Sequence, residues 1–235
     1  MKRLAAALLF AALGFAQQPE TKTKVIEVKN VRSDELRRIT QAFVPVGRGG
    51  VDATPDGKYL IVTGPPESIA AVEVAAKQFD VPPKDIELTF NIISASPQPS
   101  SEKLPADLDP VMKQLHSAFV YQGYKLLETT IMRIREGSGG EVSGQLPGKL
   151  PNEATIYQIQ CRSTRISAGT PNVIRLDNLK IGGKFPITTG KGETTYVDTG
   201  INTSVDMKEG QKVVVGKSTM NESAAFLVVS ARVLD

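Results

Sequence analysis

The chain has 235 residues, 28 Lys and Arg against 25 Asp and Glu for a formal net charge of +3, one histidine, one cysteine and no tryptophan. A lone cysteine excludes an internal disulfide, and one histidine beside it leaves too few ligands of those types for a zinc-like centre. A charge this near neutrality excludes the global basic footprint of a phosphate-backbone binder, so burial of apolar surface is what holds the fold.

The first residues, "MKRLAAALLFAALGFAQQPE", put Lys2 and Arg3 ahead of an apolar run from Leu4 to Phe15 and a flank of small and polar residues. That order is the pattern of a secretory signal peptide cut after Ala16, since a membrane-spanning helix needs about 20 apolar residues. Removing residues 1–16 takes away two positive charges and no negative ones, which brings +3 to +1. No later stretch is long and apolar enough to span a membrane as a helix, so a product of the periplasm or cell envelope is expected.

After a polar leader, "KVIEVKNV" alternates as a first strand and "RSDELRRITQAF" follows as a helix. Ser33 is the expected N-cap, Asp34 and Glu35 complement the helix dipole, and Leu36, Ile39 and Phe43 fall at helical spacing. "GVDATPDGKYLIVTG" reads as a hairpin, with Asp56 and Gly57 supplying the positive φ angles of its turn. Gly64 then turns the chain, Pro65 and Pro66 open a second helix where no amide donor is needed, and Ile69, Val72, Ala76 and Phe79 line one face before Pro82 and Pro83 end it. Two helices with narrow apolar stripes bury them against one face of a three-stranded sheet, which gives a small two-layer β-α-β-β-α domain.

"KDIELTFNIISAS" is a strand with Ile86, Leu88, Phe90 and Ile92 in one phase, and the proline- and serine-rich "PQPSSEKLPADLD" is the expected domain boundary. A third helix starts at Asp109 and Pro110 and turns Val111, Leu115 and Phe119 inward. Beyond it, strand-like segments separated by Gly, Asn, Pro and Ser predict an antiparallel β sandwich or partial barrel. Ile174 and Leu176 lie out of phase with Leu179 and Ile181, which predicts a bulge near Asp177 and Asn178. The fold class is α+β, with a signal peptide at 1–16, a first domain at 24–83, a connecting strand at 84–96, a linker at 97–108 and a helix plus β-rich domain at 109–235.

"VIEVKNVRSDELRRI" followed by "YLIVTGPPESIAAVEVAAKQFDVPP" resembles the N-terminal repeat domains of bacterial secretins, also called NolW-like domains. "VDTGINTSVDMKEGQKVVVGKS" is similar to late strands of the secretin core. The resemblance implies a KH-like fold that stacks into rings by laying a helix face on a neighbour's sheet. It implies partners among envelope secretion or type IV pilus proteins, and possible homo-oligomers. Gly47, Arg48, Gly49 and Gly50 and the helix from Ser68 to Gln78 are then the partner-facing residues. The chain after the third helix reads as too short for the family's double-walled barrel, so a periplasmic companion is expected rather than a free-standing pore.

Two other classes compete. "GRGG" matches the G-x-x-G loop of KH nucleic-acid modules, with Arg32, Arg37, Arg38 and Arg48 as a local basic patch. Against it, KH modules place that loop between two helices, whereas here it joins a helix to a strand. A cysteine-dependent enzyme would need Cys161 to meet His116, but Cys161 alternates with Tyr157 and Ile159 on the apolar phase of its strand, where a thiol is usually inert. "GSGG" lacks the Lys-Ser or Lys-Thr of a phosphate loop, and Asp198 and Asp206 lie on the polar phase of one strand. No catalytic residue, metal or cofactor is expected.

Overall fold

The computed structural model describes residues 20–146, 155–188, 194–220 and 223–234; the expected signal peptide lies outside them. The chain divides into two compact units, one ending at Pro82 and one beginning at Pro83.

In the first unit, strand β1 (Lys22–Glu27), helix α1 (Ser33–Thr40) with a short 3-10 turn (Gln41–Phe43), β2 (Gly50–Ala53), β3 (Tyr59–Gly64) and helix α2 (Pro66–Phe79) follow in order. The sheet is antiparallel in the order β1-β3-β2. Leu60 and Val62 of β3 and Val51 of β2 pack with Leu36, Val44, Ile69, Val72 and Ala76, so both helices lie on one face of the sheet. This is the expected two-layer arrangement, and each helix has only that stripe to bury.

Several local details differ from the sequence reading. Helix α1 buries Ser33, Leu36 and Thr40, whereas Ile39 and Phe43 are 40% and 45% exposed. The α-helical period stops at Thr40, so Phe43 no longer shares the face of Leu36, and the Thr40 hydroxyl is satisfied in the interior by donating to the Leu36 carbonyl at 2.8 Å. Ser33 is the first helical residue rather than the cap; Arg32 holds the N-cap position, and the Ser33 N–H donates to the Gly57 carbonyl at 3.0 Å. Only Gly57 in the hairpin turn has positive φ, at +75°. The loop is longer than two residues because the strands stop at Ala53 and Tyr59, and Asp56 braces it by accepting from the Thr54 hydroxyl and the Lys58 N–H. Phe79, at the last position of α2, is 42% exposed.

The exit of α2 is tied back to the start of the domain. The Asp80 carboxylate accepts from the backbone N–H groups of Lys29 at 2.8 Å, Asn30 at 2.7 Å and Val31 at 3.1 Å, and the Asn30 side-chain amide donates to the Asp80 carbonyl at 2.8 Å. One carboxylate thereby satisfies three main-chain donors in the turn between β1 and α1, which is a physical reason for an aspartate at this exit.

The second unit contains β4 (Asp85–Ser96), α3 (Asp109–Ala118), β5 (Gly123–Arg135), β6 (Gly140–Leu146), β7 (Thr155–Cys161), β8 (Ser163–Ser167), β9 (Val173–Thr188), β10 (Thr194–Lys208), β11 (Val213–Met220) and β12 (Ser223–Leu234). One antiparallel sheet has the order β11-β12-β4-β5, and the other has β10-β9-β7-β6 with β8 also pairing with β9. Ile86, Leu88, Phe90, Leu227 and Val229 of the first sheet meet Tyr157, Ile159, Ile174, Leu176 and Met207 of the second in one core, which makes a sandwich. A separate core joins Ile93, Ala95, Tyr124 and Phe226 to Val111, Met112 and Leu115 of α3. Strands β4 and β12 therefore carry apolar residues on both faces, as strands covered on both sides do.

Segment 97–108 is an internal connection of this unit rather than a boundary. Strand β4 is central in its sheet, and Leu104 and Leu108 beyond it pack on the α3 core. The bulge in β9 is where the phase change predicts it: Thr203 pairs with Leu179 and Val205 with Leu176, so Asp177 and Asn178 together oppose Ser204. Asn178 accordingly has φ +49°. Across the first sheet, Glu87 is buried between Arg133, at 3.0 Å, and Arg232, at 2.7 Å.

Candidate interaction surfaces

Of the partner-facing residues expected from the sequence, Gly47, Arg48 and Gly49 lie in an exposed loop and Gly50 starts β2, where it pairs with Thr63. The loop lies against β3 because Gly49 has φ +150° and no side chain; a Cβ there would fall 1.9 Å from the Thr63 carbonyl oxygen. Ser68 is only 6% exposed, so its side chain faces the interior and offers nothing to a partner. The reason is helical phase: Ser68 shares the buried stripe of Ile69, Val72, Ala75 and Ala76. Gln78 is exposed on the far end of α2, about 15 Å along the helix from Ser68 at 1.5 Å per residue. Arg48 and Ser68 both lie close to Gly64, so the structure gathers one end of the expected set and leaves Gln78 apart.

The surface that the sequence reading passed over is the bare face of the three-stranded sheet. Val25, Tyr59 and Ile61 are exposed there, with Val25 opposite Ile61 and Tyr59 opposite Glu27 in register. Asp52 stands beside Ile61 on the other side. Two apolar side chains at directly opposed positions, flanked by two carboxylates, make a compact apolar and acidic patch. Its signal was the unbroken apolar run of "YLIV": a strand with apolar residues in both phases is covered on both faces, and the helices cover only one. On the helix layer, Ile39 and Val74 are exposed, and the exposed charges of the two helices include Arg38 and Lys77 as well as Glu35 and Glu67.

The chemistry-bearing residues do not assemble. Cys161 is buried between the sheets with its Sγ 3.4 Å from the Ser163 carbonyl, and burial pushes its thiol pKa up, away from the reactive thiolate. His116 packs edge-on against Tyr124 at 4.7 Å beside the other core. Asp206 pairs with Arg175 at 3.6 Å, and Asp198 lies eight residues away along β10, opposite Lys184. Arg32 is held by Asp34 at 2.8 Å, and the "GRGG" loop joins the 3-10 turn to β2 rather than two helices. Among the described residues no three His, Cys, Asp or Glu side chains converge as a metal site would need, and no helix is long and apolar enough to cross a membrane. A shallow groove of about 580 Å³ over Gly182 and Gly200, in the sheet of β7, β9 and β10, includes neither His116 nor Cys161.

Residues 23–85 match the family model of the bacterial type II/III secretion system short domain. No curated protein matches the sequence. Among solved structures, the type II secretin GspD from enteropathogenic Escherichia coli is similar over 91% of this chain and 87% of its own, with 12% identity and a TM-score of 0.57. The type IV competence pilus secretin PilQ of V. cholerae is similar over 93% of this chain and 78% of its own, with 11% identity and a TM-score of 0.56. The InvG secretin domain of the Salmonella injectisome covers 93% of this chain and 89% of its own, with 14% identity and a TM-score of 0.52. The chain carries a bacterial type II/III secretion system short domain at residues 23–85 and has, over most of its length, the fold of the secretins.

Proposed function

We propose that this protein is an exported, non-enzymatic component of an envelope secretion or type IV pilus system, and that it works by gripping other polypeptides, a second copy of itself among them. The observation that carries this reading is the uncovered sheet face of the first unit, with Val25, Tyr59 and Ile61 exposed beside Glu27 and Asp52. The helix layer of the same unit offers exposed Ile39 and Val74 with Arg38 and Lys77. A helix layer of one copy laid on the sheet face of the next would bury apolar side chains against each other and set basic groups near acidic ones. Such a contact joins unlike surfaces, so it closes into a ring when the rotation allows. The match of residues 23–85 to a secretion-system domain supports the setting, and the burial of Cys161 away from His116 supports a role without bond chemistry.

Two experiments test it. Affinity capture from envelope extracts is expected to recover secretion or pilus components with the natural chain and to lose them with Ile61→Glu; identical recovery from both would overturn the assigned face. Fractionation is expected to place a chain lacking residues 1–16 in the envelope, and an uncleaved chain in the cytoplasm would overturn the setting.

A further inference from the structure

We draw no further inference here: the strongest candidate, the half of the β11-β12-β4-β5 sheet face left uncovered by α3, where Arg133 and Arg232 flank buried Glu87 beside exposed Ile131, has its charges paired among themselves and nothing in the structure shows what covers it.

Discussion

Replacing Asp80 with alanine removes the carboxylate that accepts from the N–H groups of Lys29, Asn30 and Val31. A hydrogen bond to a charged group contributes about 1.5–3 kcal/mol when well shielded, but these donors are near the surface, where water replaces a lost partner, so about 1 kcal/mol each is the appropriate scale. The expected loss is about 2–4 kcal/mol from a domain with a small core, with Asp80→Asn losing less because one carbonyl oxygen remains as an acceptor. The pH dependence has a definite sign. Burial works against ionisation of Asp80, but the three N–H groups and Asn30 outweigh it and hold the carboxyl below its ordinary range. The unfolded chain therefore takes up the proton first, near pH 3.9, and the contribution is complete above that value and fades as pH falls through the lower folded one. Urea unfolding followed across pH 3–7 reads both effects. The natural chain should lose stability toward acid more steeply than Asp80→Ala. A change below about 0.5 kcal/mol at pH 7, or parallel pH profiles, would refute the reasoning.

Leu36→Ala should destabilise the first unit by about 2–5 kcal/mol, while Phe79→Ala, at a half-exposed position, should cost clearly less; equal losses in thermal melts would contradict the burial pattern. Gly49→Ala should disrupt the first unit because its Cβ would collide with the Thr63 carbonyl, whereas Gly47→Ala, with open space around it, should cost only about 1 kcal/mol for its positive φ. Glu87→Gln should lower the melting temperature of the second unit by loosening Arg133 and Arg232. Burial opposes the Glu87 charge, but these two arginines hold its carboxyl below the ordinary range, so the deficit should shrink as pH falls through the folded value. A deficit that grows toward acid would contradict that assignment.

The first unit was legible because local chemistry and global packing agree there: Pro65 and Pro66 at the start of α2, the Gly57 turn and the stripe of Ile69, Val72 and Ala76 all point to one arrangement. The bulge at Asp177 and Asn178 was legible because a phase change in a strand has few other causes. Strand β6, "GEVSGQL", carries no clear strand signal in sequence for a physical reason. Its inward position at Gly144 carries no side chain because the Tyr157 ring fills that space, with its hydroxyl 2.6 Å from that of Thr130, so the apolar alternation is broken in sequence but complete in space. The boundary was misplaced because a proline- and serine-rich connection looks the same whether it joins domains or spans one. What settles it is that β4 pairs with both β5 and β12, the latter from the far end of the chain. The exposure of the expected partner-facing residues was half legible. "GRGG" pointed to the loop, but which stripe of α2 is turned inward, and hence the loss of Ser68, depends on packing against Gly64 and the sheet.

The most direct test of the central claim is the solution mass of the purified mature chain and of its Ile61→Glu variant, measured together by light scattering. Assembly through the open sheet face should give the natural chain a mass several times that of the 25.3 kDa full-length polypeptide, and the variant a single-copy mass with unchanged circular dichroism. An assembly that persists unchanged in the variant, or a natural chain that stays a monomer at every concentration, would contradict it.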